Sequence, residues 1–102
     1  MTSVYAERDG RRCILCAQGH ATGSPEVCAA VSGILYALAG YLTNAQEARG
    51  LELRHYTMES GDVLLDFNRD DGAVAAFEMA VIGLKQVEKA YPEYLSISYR
   101  EE

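Results

Sequence analysis

The sequence has no tryptophan, only two prolines and only three cysteines in 102 residues. An odd number of cysteines, without the spacing of a small secreted domain, argues against a disulfide framework and favours a reducing cytoplasm. Positive charge is also scarce, since 15 acidic side chains outweigh 9 basic ones to give a net charge of −6. Nucleic-acid binding needs cations that displace phosphate counterions, so we expect no nucleic-acid partner. A basic peptide remains a compatible partner.

Long hydrophobic runs are missing as well. The longest apolar run lies around Ile34–Leu42 and falls short of the roughly 20 residues that span a bilayer. The amino-terminal stretch Met1–Asp9 contains charges of both signs and does not have the pattern of a signal peptide. We therefore expect no membrane partner and a cytoplasmic location.

Apolar residues make up 49% of the chain, which excludes global disorder. A chain of this length buries roughly two-thirds of its unfolded surface, which is enough for one core without metal or disulfide support. No linker, low-complexity tract or long repeat divides the sequence. We therefore predict a single compact domain over residues 1–102.

Hydrophobic periodicity and turn residues predict five strands and two helices. The predicted strands cover residues 2–7, 12–18, 51–58, 63–67 and 95–99. The predicted helices cover residues 25–44 and 73–90, with a polar connection at 46–50. Asp9-Gly10 and Ser60-Gly61-Asp62 are the turns of two hairpins, and Pro92 ends the second helix. The expected class is α+β in the order ββαββαβ, with two helices packed on a mixed or antiparallel sheet.

Two faces of the predicted elements carry specific expectations. The run Cys13–Ala17 lacks polar alternation, so its strand is expected to be covered on both faces. Residues with helical spacing form an apolar stripe on the first helix: Val27, Ala30, Val31, Ile34, Leu38, Tyr41 and Leu42. Small residues on the same helix allow close approach of another helix or subunit: Ala29, Gly33, Ala37 and Gly40.

The stretch 19–32 reads as a strand end, a short loop and the start of a helix. Ser24 is a good N-cap and Pro25 suits the first helical position, so Cys28 is about the fourth helical residue. The positive end of the helix dipole favours a thiolate there. His20, folded back from the loop, would complete a nucleophile–base pair. From spacing alone, a loop histidine and a buried helix cysteine remain the simpler alternative.

Gly19-His20, a glycine-containing loop and the run Val27–Ser32 at the head of an apolar helix resemble the ribosomal-processing cysteine protease Prp family. The resemblance extends over nearly the whole chain in length and element order. It implies a catalytic dyad of Cys28 and His20, no metal or cofactor, and a homodimer. It also implies a specific substrate: the N-terminal extension of a large-subunit ribosomal protein, number twenty-seven of the bacterial set.

Other positions of the stretch are predicted to assist this chemistry. Gly19 would let a substrate backbone approach closely, and Gly23, next to the N-cap Ser24, would let the loop move over a bound peptide. The backbone N–H groups of Val27 and Cys28 are the candidate donors to a tetrahedral oxyanion. Asp62 and Asp66 are possible partners for the histidine, but nothing in the sequence places either of them there.

Three alternatives stay open at this point. The loop between His20 and Cys28 is shorter than is usual in the family, which allows a prophage-type relative that cleaves another protein, such as a phage structural protein. Pro25 stands where the family often has an acidic residue, which allows a non-catalytic peptide-binding module of the same fold. Cys13-x-x-Cys16 allows a thiol-redox protein, although residues three apart on a strand point to opposite faces and favour a core role.

Overall fold

The computed structural model describes residues 1–102 and contains the five strands and two helices in the predicted order, ββαββαβ. The strands are β1 (Thr2–Asp9), β2 (Arg12–Gln18), β3 (Leu53–Glu59), β4 (Asp62–Asn68) and β5 (Leu95–Glu101). The helices are α1 (Pro25–Arg49) and α2 (Asp71–Ala90). The predicted α+β class is confirmed.

The sheet has the strand order β3-β4-β2-β1-β5. Only β1 and β5 are parallel, and the other neighbours are antiparallel, so the sheet is mixed. Arg12 lies opposite Asn68 and Gln18 lies opposite Asp62 in the β2–β4 pair. This register puts the β1–β2 turn and the β3–β4 turn at opposite ends of the sheet. The end of β2 and the β3–β4 turn are therefore neighbours, although they are far apart in sequence.

Both helices cover the same face of the sheet. Cys13, Leu15 and Ala17 of β2 are buried and belong to one core that includes side chains from both helices. Ile14 and Cys16 point to the other face and are only half-buried. The prediction that β2 is covered on both faces was wrong. No element packs on the second face, where these apolar side chains form the middle of an open surface.

Helix α1 is one turn longer than predicted. Gln46–Arg49 are helical, because glutamine, glutamate, alanine and arginine all have good helix propensity. Gly50 ends it in the left-handed region, with φ at 71°, and its N–H donates to the carbonyls of Ala45 and Gln46. The extra turn brings Arg49 to the N-cap of α2, where its guanidinium donates to both carboxylate oxygens of Asp70 at 2.9 and 3.1 Å.

The buried stripe of α1 also differs from the predicted one. Ala30 is exposed, and Ile34 and Tyr41 are only half-buried. The buried positions are Val27, Val31, Leu35, Leu38, Ala39, Leu42 and Ala45. The small residues Ala29, Gly33, Ala37 and Gly40 are exposed on the outer side. By length and composition alone α1 would suffice to cross a bilayer, with a mean hydropathy of 1.4 in its most apolar window, and in this fold its stripe packs into the core.

Candidate active site

The start of α1 places Cys28 as the sequence predicts. Ser24 is the N-cap, with its Oγ accepting the N–H of Val27 at 3.3 Å, and Pro25 occupies the first turn. The N–H of Cys28 donates to the carbonyl of Ser24 at 3.1 Å, which is the first full helical bond at this end. The Cys28 side chain is exposed. It is therefore a thiol near the positive end of a helix and open to an incoming molecule.

His20 follows the end of β2 and lies in the loop before α1. The residue before it is tied to the β3–β4 turn, because the N–H of Gly19 donates to the carbonyl of Gly61 at 3.0 Å. The imidazole lies directly against Gly61, so that a β-carbon built on that glycine would be 2.5 Å from Nε2. The loop thus returns over the end of the sheet and holds the imidazole against the β3–β4 turn.

One open cleft is lined by both His20 and Cys28. Its wall comes from three parts of the chain: the first three turns of α1, the β3–β4 hairpin end, and the edge formed by the start of β1 and the end of β2. The structure therefore places the two predicted catalytic residues, His20 and Cys28, in the wall of one cleft.

Sequence reasoning missed several lining residues. Ser32 and Tyr36 lie one and two turns beyond Cys28 on the same side of α1, and the helical repeat was the signal that relates them to the cysteine. Tyr36 is 66% exposed. Glu59 comes from the β3–β4 hairpin, and no local signal in the sequence connects it with Cys28. Asp62, which the sequence offered only as a partner of His20, lines the cleft beside it. Their carboxylates give this side of the cleft a negative character.

The two carboxylates that were considered as partners of His20 have separate environments. Asp62 lines the cleft. Its carboxylate accepts a hydrogen bond from the Gln18 amide at 2.6 Å and none from the imidazole. Asp66 points to the open face of the sheet and is 2% exposed. There it accepts two bonds from Arg12 and one from His55 Nδ1, at 2.8 to 3.0 Å. Asp66 therefore belongs to an ion-pair cluster outside the cleft.

The remaining predicted site residues are placed as follows. Gly19 lines the cleft, but its close approach is to its own chain, since a β-carbon there would lie 2.6 Å from the carbonyl oxygen of Met1. Gly23 and Ser24 lie beside the cleft and do not line it. Ser24 is 5% exposed and acts as the cap. Its hydroxyl also donates to the Glu26 carboxylate at 3.3 Å.

The backbone donors at the start of α1 are partly occupied. The N–H groups of Val27 and Cys28, which the sequence offers to an oxyanion, donate to Ser24 Oγ and to the Ser24 carbonyl. An oxyanion at this point would have to share them. The N–H of Glu26 donates to no backbone carbonyl, so it is the unoccupied donor of the first turn. The oxyanion role of Val27 and Cys28 stays a prediction.

The other two cysteines have unlike surroundings. Cys13 faces the core, and its burial raises the pKa of the thiol to about 11. Cys16 faces the open side of the sheet, where burial and then the Asp66 and Asp62 carboxylates raise its pKa. The two side chains are on opposite faces of β2, as the strand geometry predicts. Neither thiol lines the cleft, so Cys28 is its only thiol.

The chain matches one known protein family. A family model described as cysteine protease Prp matches residues 1–96. No curated protein sequence matches the chain.

Solved structures share the fold. The ribosomal processing protease Prp from S. aureus, in complex with a covalently linked product peptide, has a TM-score of 0.76 at 18% identity over 97% of this chain and 99% of that chain. The same S. aureus protease with a substrate peptide has a TM-score of 0.69 at 16% identity and the same coverage. SMU.848 from Streptococcus mutans has a TM-score of 0.71 at 19% identity over 100% and 96% of the two chains.

Proposed function

This chain belongs to the cysteine protease Prp family, and from that premise we propose that it is a cysteine endopeptidase whose dyad is Cys28 and His20. The observation that carries the proposal is that both side chains line one open cleft, with the cysteine exposed on the first turn of a helix. Covalent catalysis needs a base within reach of the nucleophile, beside free space for a substrate, and the shared cleft supports such an arrangement.

The proposed reaction has two steps. His20 accepts the thiol proton as Cys28 Sγ attacks the scissile carbonyl carbon, which gives a tetrahedral oxyanion. The oxyanion collapses, the C–N bond breaks, and His20 returns the proton to the leaving amine. A water molecule then loses a proton to His20 and attacks the thioester carbonyl. The C–S bond breaks, the carboxylic acid product leaves and the thiol is restored. The proposed donors to the oxyanion in both tetrahedral states are the backbone N–H groups of the first turn, near Val27 and Cys28.

The proposed substrate is the N-terminal extension of large-subunit ribosomal protein number twenty-seven. The family supports it, since the S. aureus relatives are described as ribosomal processing proteases and have peptides bound. The net charge of −6 and the carboxylates of Glu59 and Asp62 in the cleft support a basic peptide.

The test is incubation of the purified protein with a peptide that spans this extension, read by mass spectrometry. We expect cleavage at one bond by the wild type. The Cys28→Ala variant should lose roughly 10³-fold or more of the rate, and His20→Ala should lose about 10²- to 10⁴-fold, the usual contribution of a general base. Cys16→Ala is the matched control, because it removes a thiol on the open face of the sheet, and it should cleave like the wild type.

Other outcomes would reassign the protein. Equal cleavage by the wild type and Cys28→Ala would exclude the proposed nucleophile. Tight binding of the peptide with no cleavage would make the chain a peptide-binding module. Cleavage of a phage structural-protein peptide, with the ribosomal peptide left intact, would identify the prophage-type relative.

We also propose that the protein acts in a reducing cytoplasm as a homodimer. Three free cysteines support the first part. The exposed small residues along α1, among them Gly33 and Gly40, support the second, since a β-carbon at either would meet no atom within 4 Å. Sedimentation equilibrium measures the mass directly, and a monomer at micromolar concentration would contradict the dimer.

A further inference from the structure

The β3–β4 turn is in direct contact with the catalytic histidine. Ser60 and Gly61 connect the two strands, and Gly61 has a φ of +74°. Its carbonyl accepts the N–H of Gly19, the residue just before His20, at 3.0 Å. The turn and the segment that carries the histidine are therefore joined through their backbones.

The imidazole ring occupies the space where a side chain of Gly61 would be. A β-carbon built on this glycine would lie 2.5 Å from His20 Nε2, 2.9 Å from Cε1 and 3.2 Å from Cδ2. The first two distances are shorter than a β-carbon tolerates. Only a residue without a side chain leaves the ring where it is, within the cleft that also contains Cys28.

A positive φ alone does not distinguish Gly61 from the other turn glycines. Gly10, in the β1–β2 turn, also has a positive φ, at +56°, and a β-carbon there would meet no atom within 4 Å. Gly50 at the end of α1 has a φ of +71° and equally open surroundings. All three positions need glycine because of their backbone, but only at Gly61 is the empty volume filled by the imidazole.

We propose that Gly61 is a positioning residue for the protease: its bare Cα is the surface against which the His20 imidazole is held. This inference rests on the proposed function, in which the His20 imidazole is the general base. His20 is exposed and lies in a loop, so contact with a hairpin of the sheet restricts where the ring can go. A misplacement of about 1 Å can cost about 10²-fold in rate. Gly61 itself touches no substrate and acts through the histidine.

The test compares Gly61→Ala with Gly10→Ala. Both variants put an alanine at a positive φ in a two-residue hairpin turn, and the Gly10 turn lies at the opposite end of the sheet from the cleft. Gly61→Ala should slow peptide cleavage about 10- to 100-fold. It should also change the pH profile of Cys28 alkylation by iodoacetamide toward that of His20→Ala. The Gly10→Ala variant should match the wild type in both measurements, and an equal loss in the two glycine variants would overturn the proposal.

A stability cycle tests the contact without any need for activity. In the wild-type background, Gly61→Ala should lower the urea midpoint more than Gly10→Ala does, because the alanine meets the ring. In the His20→Ala background the two glycine substitutions should lower it equally. If Gly61→Ala still lowered the urea midpoint more than Gly10→Ala by the same amount in the His20→Ala background, the proposal would be overturned.

The outcomes remain distinct if a variant misfolds or the peptide is not cleaved. Recovery of folding in His20→Ala/Gly61→Ala, when Gly61→Ala alone is unfolded, would support the contact. Failure of both to fold would assign the effect to the turn and overturn the proposal. If the wild type cleaves no peptide, the proposed function fails, while the stability cycle still decides whether the ring depends on Gly61.

Discussion

The three thiols of this chain show how strongly position controls cysteine chemistry. Cys28 is exposed on the first turn of α1 and lies in the cleft. Cys13 is buried in the core with a pKa of about 11. The pKa of Cys16 is raised chiefly by burial and to a smaller extent by the nearby Asp66 and Asp62 carboxylates. Since the thiolate is the reactive form of cysteine, the raised values make Cys13 and Cys16 poor nucleophiles at neutral pH.

At the same scale, Asp66 stabilises the open face of the sheet. Its carboxylate is 3% exposed and bonded first to Arg12 and then to His55, which holds its pKa below the usual value. We expect Asp66→Asn to lower the free energy of unfolding by about 1.5–3 kcal/mol at neutral pH, as for hydrogen bonds to charged groups. Urea unfolding of both proteins measures the difference.

The pH dependence of that difference has a definite sign. Because the folded-state pKa is depressed, the stabilisation is complete above the unfolded value of about 3.9 and is lost as the pH falls through the folded value. The difference in the free energy of unfolding between the wild type and Asp66→Asn should therefore become smaller below about pH 4. Glu47→Gln, on the exposed side of α1, is the control and should change stability by less than about 0.5 kcal/mol. A gap that stays constant to acid pH would contradict the ion-pair explanation.

At the scale of elements, both helices begin with a side-chain N-cap, and the two caps have different roles. Ser24 caps α1 by accepting from Val27, and Asp70 caps α2 by accepting from Ala73 at 2.8 Å. Asp70 in addition pairs with Arg49 of the last turn of α1. The α1 start carries Cys28, the proposed nucleophile, whereas the α2 start joins the helices to each other.

Removing each cap should separate stability from activity. Ser24→Ala and Asp70→Ala should each lower the free energy of unfolding by about 1 kcal/mol. Only Ser24→Ala should also slow peptide cleavage, by about tenfold or more, because it loosens the turn that orients Cys28. Urea unfolding and the peptide assay measure the two effects, and equal losses of activity in the two variants would refute the distinction.

At the scale of the whole molecule, one core of 23 buried residues includes side chains from both helices and from the strands. Phe67 of β4 and Phe77 of α2 meet edge to face inside it, with ring centroids 6.0 Å apart. A single core predicts one cooperative unfolding transition. The helices and the sheet should therefore lose their structure together.

Leu84 and Ile82 on α2 test this prediction. Leu84 is 0% exposed and Ile82 is 58% exposed. Leu84→Ala should lower the free energy of unfolding by about 2–5 kcal/mol, and the matched Ile82→Ala by less than about 0.5 kcal/mol. Circular dichroism and tyrosine fluorescence should give one midpoint in every variant. Separate midpoints for the two signals would show that the helices and the sheet unfold as different units.

The sequence by itself determined the elements and the local placement of Cys28. Apolar periodicity and turn residues act within a few positions of the chain, so they predicted five strands, two helices and their order. The Ser24-Pro25 start placed Cys28 on the first turn for the same reason, because capping depends only on neighbouring residues. The end of α1 was predicted too early, since the polar residues Gln46–Arg49 tolerate a helix as well as a loop.

Only the tertiary structure decided what surrounds His20 and Cys28. The contact of His20 with Gly61 follows from the pairing of β2 with β4, whose register places Gln18 opposite Asp62 across 44 positions of sequence. The open second face of the sheet follows from both helices packing on the first. Strand register and the choice of face depend on pairing between remote segments, and no local pattern of residues records that pairing.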